Sequence, residues 1–181
     1  MAQDQLVVNR VAESGLITID LESFYPKEQP ASFDLKDYLF MGLVLREKEF
    51  REALKKLDIE TFRGKRVAVF CSADAIVPVW AYMLVAAHLQ PVAAGVFFCR
   101  PEQLDEAYFS RLIATLDVSP YAGKRVIIKG CSDKPVPAAA YLLLTERLRP
   151  VVKSLMYGEA CSNVPIFKSK PTDHEGAARK V

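Results

Sequence analysis

Apolar and polar residues repeat with two different periods along this chain. Ile17, Ile19 and Leu21 alternate with Thr18, Asp20 and Glu22, the period of two expected of a strand with one face in water. That pattern predicts an N-terminal edge strand. Farther on, Leu35, Leu39, Leu43, Phe50, Leu54 and Leu57 keep to helical spacing behind Asp34, a residue suited to cap a helix N-terminus. They predict an amphipathic helix that Gly42 bends or splits. A second helical stripe, Leu104, Tyr108 and Leu112, runs through 101–116, with Glu102, Asp105 and Glu106 at the positive end of its dipole.

Between these helices lie runs that read as strands. Arg66 to Phe70 and Arg125 to Ile128 each follow a Gly-Lys turn and are dense in β-branched residues, as suits strands buried on both faces. A helix follows each, starting near Pro78 or Pro137, where the missing proline N–H costs no hydrogen bond, and stopping before Pro91 or Pro150. Second strands are expected at 92–98 and 151–157. Residues 50–92 align with 109–151 without a gap, and about 16 of the 43 pairs are identical where chance gives about three. The shared frame includes Leu57-Asp58 with Leu116-Asp117, Gly64-Lys65-Arg66-Val67 with Gly123-Lys124-Arg125-Val126, and Ala81-Tyr82 with Ala140-Tyr141.

A duplicated α-β-α-β unit is the simplest origin of that frame. Strands alternating with helices imply right-handed crossovers, and so an α/β fold: a three-layer α/β/α arrangement with a mostly parallel sheet plus the N-terminal edge strand. Residues 1–167 are expected to form one domain. The stretch 168–181 has prolines, glycine and charges but almost no apolar anchor, which predicts a disordered tail.

Composition narrows the function classes. With 181 residues, about half of them apolar, the chain is large enough for a substantial core without disulfides. The net charge of +2 gives no basic stripe, so no nucleic-acid partner is expected. The first ten residues lack the apolar run of a signal peptide, and no stretch approaches the ~18 apolar residues of a membrane span. The expectation is a cytoplasmic protein with no membrane partner, whose four cysteines stay reduced as thiols or metal ligands.

Those cysteines carry the most suggestive pattern. Cys71, Cys99, Cys131 and Cys161 each fall at or just beyond the C-terminal end of an expected parallel strand, the edge at which open α/β sheets bind ligands. Cys71, Cys131 and Cys161 are candidate ligands for zinc, iron or an iron-sulfur cluster. Four adjacent strand ends span about 14 Å, too wide for all four thiols to share a metal with bonds near ~2.3 Å. Cys99 is the weakest of the set, because Arg100-Pro101 opens a helix immediately after it. A cysteine at a strand end is also commonly a small buried hydrophobe.

Other polar groups approach the same edge. Cys131 or Cys71 could act as a nucleophile ahead of a helix N-terminus, with Lys129 and Glu159 as further catalytic candidates. Ser72, Asp74, Ser132 and Asp133 recur in the loops after the strands and are candidate ligand-binding residues, with backbone capping as the plainer role for both aspartates. Arg46, on the margin of an apolar stripe, either snorkels or pairs with an anion or carboxylate under the helix. Trp80, Tyr82 and Tyr141 read as core or interface aromatics, and the two Gly-Lys-Arg turns as solvated turns at the opposite edge.

The phrases Gly15-Leu16-Ile17-Thr18-Ile19-Asp20-Leu21, Cys71-Ser72-Ala73-Asp74-Ala75-Ile76-Val77-Pro78, Lys129-Gly130-Cys131-Ser132 and Gly158-Glu159-Ala160-Cys161-Ser162 resemble domain of unknown function 2480 (the DUF2480 family). The resemblance spans nearly everything but the tail. It implies a bacterial protein, typical of Bacteroidetes, with iron-sulfur assembly proteins as partners. The family has no established activity, so the resemblance gives no residue a role. The leading expectation is an accessory protein that binds a metal or cluster, or handles sulfur. The alternatives are an enzyme acting on a small anionic ligand, and a structural protein that forms a homodimer or docks a partner through an exposed helix.

Overall fold

The computed structural model describes residues 15–129, 133–159 and 161–170. The strands in chain order are β1 (Leu16–Ile19), β2 (Pro30–Asp34), β3 (Leu39–Phe40), β4 (Val44–Leu45), β5 (Arg66–Phe70), β6 (Gly95–Phe98), β7 (Arg125–Lys129), β8 (Ser154–Glu159) and β9 (Ser162–Lys168). The helices are α1 (Glu47–Lys56), α2 (Val79–Leu89), α3 (Leu104–Thr115) and α4 (Ala138–Leu148). Mixed helix and strand with parallel sheets make this an α/β fold. The chain divides into two compact units: a continuous one, Pro26–Phe109, and a discontinuous one, Met1–Tyr25 with Ser110–Val181.

In the continuous unit three parallel strands lie in the order β2-β5-β6, with Phe33 opposite Val69 and Val69 opposite Phe98. β5 is central and its first four residues are buried, which its run of small and β-branched residues permits. Phe33, Val67 and Val69 pack with Phe50 and Leu54 of α1 and with Ala81, Val85 and Leu89 of α2. Alternate positions pack elsewhere: Ala68 and Phe97 meet Leu104 of α3, with Tyr108 beside them. Arg66, at the start of β5, is only 4% exposed. Its Nη1 donates to the Asp105 carboxylate at 2.7 Å, and its guanidinium lies 4.9 Å from the centre of the Tyr108 ring.

In the discontinuous unit the order is β1-β7-β8-β9, parallel through β8 and antiparallel between β8 and β9. Ile19, Leu21, Val126, Ile127, Ile128 and Leu155 are buried, together with Ala140, Leu144 and Leu148 of α4. Arg147 donates from Nη1 and Nη2 to the Ala114 and Leu116 carbonyls, both at 2.7 Å, and so satisfies acceptors at the C-terminal end of α3. Gly158, at φ 121°, is where β9 turns back on β8, and a Cβ there would lie 2.6 Å from the Ser162 carbonyl oxygen.

The two aligned stretches run through the same succession of elements and close it with the same bonds. The Gly64 N–H donates to the Val92 carbonyl at 2.9 Å, and the Gly123 N–H to Val151 at 2.8 Å. Both glycines hold a left-handed φ, 66° and 68°. Beyond the aligned frame the sets also match. β1 and β2 each lie beside an inner strand of one sheet, and an aspartate, Asp20 just after β1 or Asp34 at the end of β2, caps a 3-10 turn.

Several expectations need correction. The strands form separate sheets, with β3 and β4 a third pairing of their own, rather than one continuous sheet. The helix expected across Leu35–Leu57 is an α-helix only over Glu47–Lys56. Asp34 does cap, but it caps the 3-10 turn Leu35–Tyr38, and the chain then makes the β3-β4 hairpin. Met41 and Gly42 have φ 51° and 72°, which no helix interior accommodates. Leu35 is fully buried and Leu43 is 65% exposed, so the leucines at helical spacing do not share a face. β2 and β9 were not expected. The tail from 171 on lies outside the described residues.

Candidate functional site

The C-terminal edge of each parallel sheet gathers polar and sulfur groups. In the continuous unit, Cys71 directly follows β5 and Cys99 directly follows β6. In the register of these neighbouring strands, Cys99 falls level with Phe70 and Cys71 one residue beyond it, so the thiols are staggered. Cys71 packs beside the cluster of Phe33 and Val69, and Cys99 beside Ala68 and Phe97 on the alternate face. Both are half-buried, and both line one pocket of ≈230 Å³ with Phe70, Tyr82, Phe98, Arg100 and Gln103. The Cys71 thiol donates to the Ala73 carbonyl at 3.6 Å. The Arg100 N–H donates to Gln103 Oε1 at 3.1 Å, which fixes the chain turning away from Cys99.

Asp34 borders this edge. Its Oδ2 accepts from Ser72 Oγ at 2.5 Å, and its Oδ1 accepts from the backbone N–H groups of Ser72 and Lys36 at 3.0 and 2.9 Å. Burial pushes this carboxyl up, but those hydrogen bonds and the Lys36 charge outweigh it and hold the pKa below the ordinary value. The Tyr82 hydroxyl is raised, first by burial and then by the nearby Cys71 and Asp34. Its ring stands edge-on to Phe98, centroids 5.0 Å apart.

The discontinuous unit repeats the plan with different chemistry. Lys129, at the end of β7, donates from Nζ to Asp20 Oδ2 at 2.9 Å. Each group strengthens the charge of the other: Lys129 depresses Asp20, and Asp20, with Glu22 and Glu159 farther off, raises Lys129. A lysine so held is a fixed cation rather than a proton acceptor. Tyr141 stands edge-on to Tyr157 at 5.8 Å, as Tyr82 does to Phe98. Its hydroxyl is raised by burial first and then by Tyr157, Asp20 and Glu22. A pocket of ≈230 Å³ at this edge is lined mainly by Ile128, Tyr141, Leu142, Tyr157 and Ile166.

The candidate residues therefore divide between the units. Cys71 and Cys99, with Ser72, belong to the continuous unit; Lys129, Asp133, Glu159 and Cys161 belong to the discontinuous one. Cys161 is exposed in the β8-β9 turn, and Cys131 and Ser132 lie outside the described residues. Among the described residues, no group of three or more His, Cys, Asp or Glu could hold a metal ion. Any metal at Cys71 and Cys99 would need further ligands from outside the described set.

Asp74 is exposed and forms no hydrogen bond with a described residue. The capping expected of it is supplied by Asp34, and the Asp133 N–H donates instead to Glu22 Oε2 at 3.3 Å. Arg46 pairs with the Glu49 carboxylate at 3.0 Å and covers the Phe40 ring. Trp80 packs against the core of the continuous unit, as expected.

Sequence reasoning missed Asp20 and Asp34 as organisers of these edges. A signal for the aspartates was present. Ile19-Asp20-Leu21-Glu22-Ser23-Phe24 and Phe33-Asp34-Leu35-Lys36-Asp37-Tyr38 share a hydrophobe-Asp-Leu start and an aromatic four residues after the aspartate.

No helix of the described residues is long and apolar enough to cross a membrane. No curated protein and no solved structure matches the chain. A family model does, and its match over residues 5–169 takes in both strand edges with their aspartates, tyrosines and cysteines: the chain belongs to the family described as protein of unknown function (DUF2480).

Proposed function

We propose that this chain is a cytoplasmic accessory protein that binds a soft metal ion through Cys71 and Cys99. One observation carries the reading: two half-buried thiols, one from each side of the β5-β6 strand ends, line the same pocket. Thiolates are the ligands that soft ions prefer, and two of them leave coordination positions open. An ion held in that way can be completed by a ligand from a donor or acceptor protein, which suits handover better than storage. Iron-sulfur assembly proteins are partners of that kind. Descent of the two halves from one duplicated α-β-α-β unit accounts for the shared bonds at Gly64 and Gly123 and for the paired tyrosines.

Anaerobic titration with cadmium(II), followed by thiolate-to-metal charge-transfer absorption, tests the reading. One equivalent should bind per chain, with the band lost in Cys71→Ser and in Cys99→Ser and kept in Cys161→Ser. A wild-type titration without a band, or a band that only Cys161→Ser removes, would overturn it.

A further inference from the structure

The N-terminal edge of the four-stranded sheet carries a larger pocket, of ≈410 Å³, lined by Arg125, Lys153, Ser154, Met156, Pro165, Phe167 and Lys168. Its exposed wall is mostly apolar, supplied by Met156, Pro165 and Phe167, and the lining holds three cations and no carboxylate. A fourth cation, Arg149, lies 5.0 Å from the centre of the Phe167 ring. None of the four forms an ion pair with a described residue. The sheet itself positions them: Arg125 stands opposite Ser154 in β8, and Ser154 stands opposite Lys168 in β9. The Lys153 N–H donates to the Lys124 carbonyl at 2.8 Å, which fixes the strand entrance.

The chain contains its own precedent for what such a group of residues takes. Arg125 occupies the place in the second aligned stretch that Arg66 occupies in the first. Arg66 is supplied with a carboxylate, Asp105, and an aromatic ring, Tyr108, both from α3, the helix that follows β6. After β8 the chain makes β9 instead of a helix. β9 brings an aromatic ring, Phe167, and a further cation, Lys168, but no carboxylate. At Arg125 an aromatic ring, Phe167, lines the same pocket, its cation contact being with Arg149, and no described carboxylate pairs with the arginine.

We infer that this pocket binds a small organic anion, a carboxylate or phosphate on an apolar aryl or alkyl body. The acidic group sits among Arg125, Lys153 and Lys168, and the body lies on Met156, Pro165 and Phe167. Charge complementarity selects the head, because a charged hydrogen bond to arginine or lysine is stronger than a neutral one. The apolar wall selects the body, since a bare inorganic ion buries none of that surface. The site is independent of the thiol pair, and nothing in it depends on metal.

Isothermal titration calorimetry of the full chain with 2-naphthoate, decanoate, 2-naphthol and inorganic phosphate tests the inference, with the methyl resonance of Met156 as a local reporter. At least one of 2-naphthoate and decanoate should bind and shift the Met156 signal, and the one that binds more tightly identifies an aryl or an alkyl body. The neutral naphthol and phosphate should each bind at least tenfold more weakly. Lys153→Glu and Arg125→Glu, both at exposed positions, should each weaken the organic anion about tenfold or more while cadmium binding at Cys71 and Cys99 stays as in the wild type. Phosphate binding as tightly as the organic anions would overturn the inference. So would an unmoved Met156 signal, or charge reversals without effect.

Discussion

Asp105→Asn should be among the most damaging single-atom changes in the continuous unit. The Arg66 side chain is 5% exposed and its Nε has no hydrogen-bond partner, so its charge relies on one carboxylate 2.7 Å away and on the Tyr108 ring. Replacing that carboxylate with an amide keeps shape and an acceptor oxygen but leaves a buried cation uncompensated. Breaking a buried pair from one side costs about 3–5 kcal/mol, and because Asp105 is itself 36% exposed, water can partly take its place, which puts the cost at the low end, about 3 kcal/mol. Arg66→Met removes the buried charge and fills similar volume, so it should cost under about 1.5 kcal/mol, part of it the lost stacking on Tyr108. Urea denaturation followed by fluorescence reads this unit selectively, because the chain's single tryptophan, Trp80, packs against its core. The double variant should resemble Arg66→Met alone, since nothing is left to orphan. If Asp105→Asn proves milder than Arg66→Met, or costs less than about 0.5 kcal/mol, the guanidinium is being solvated by other means and the argument fails.

Further consequences follow from other contacts. Gly158→Ala forces a Cβ to within 2.6 Å of the Ser162 carbonyl at a φ that L-residues rarely adopt, and should cost well over 1 kcal/mol; faster amide exchange in β9 would show it, and unchanged protection would count against it. Asp34→Ala removes the acceptor for three donors and should destabilise the continuous unit by about 1–2 kcal/mol in urea. The Asp34 pKa is depressed in the folded state, so its stabilisation is present above the ordinary carboxylate pKa and is lost as pH falls through the folded value. Wild type and Asp34→Ala should therefore converge in stability on acidification, and a constant gap down to strongly acid pH would refute that. Phe50→Ala, at a position 1% exposed between Tyr38 and Trp80, should cost about 3–5 kcal/mol and shift Trp80 emission to the red; an unshifted spectrum would place Trp80 outside that core.

The legible parts of the fold were those whose local chemistry and packing agree. β5 and β7 announce themselves as β-branched runs after Gly-Lys because they are central strands, buried on both faces. Pro78 and Pro137 mark the starts of α2 and α4 because each is the last residue with extended backbone before the helix. β2 was hidden because its pattern occupies only Ala31 and Phe33 after an opening proline, and its strand character comes from pairing with β5, 36 residues later in the chain. The leucines at 35, 39 and 43 keep helical spacing by coincidence, with a turn and a hairpin between them. At the site, the strand-end position of the thiols could be read, but their partners could not. Arg100-Pro101 does open a helical segment straight after Cys99, a 3-10 turn over Pro101–Gln103 that leads into α3, and the thiol still lines the pocket. The bond from Lys129 to Asp20 spans 109 residues, a separation at which one sequence gives no pairing information.

That separation also sets an order of events at the ribosome. β1 is made before the continuous unit, and its partner strand among the described residues, β7, comes after it, whereas the stretch from Pro26 to Phe109 contains every strand of its own sheet. At about 5–20 residues per second, synthesis keeps β1 waiting for roughly 5–20 s, long enough for the intervening stretch to finish folding. A nascent chain stalled once Phe109 has cleared the ribosome would thus carry one completed body and, N-terminal to it, one hydrophobic strand without its partner. Such a species invites a holdase, and swapping of β1 between chains is the error it is most exposed to.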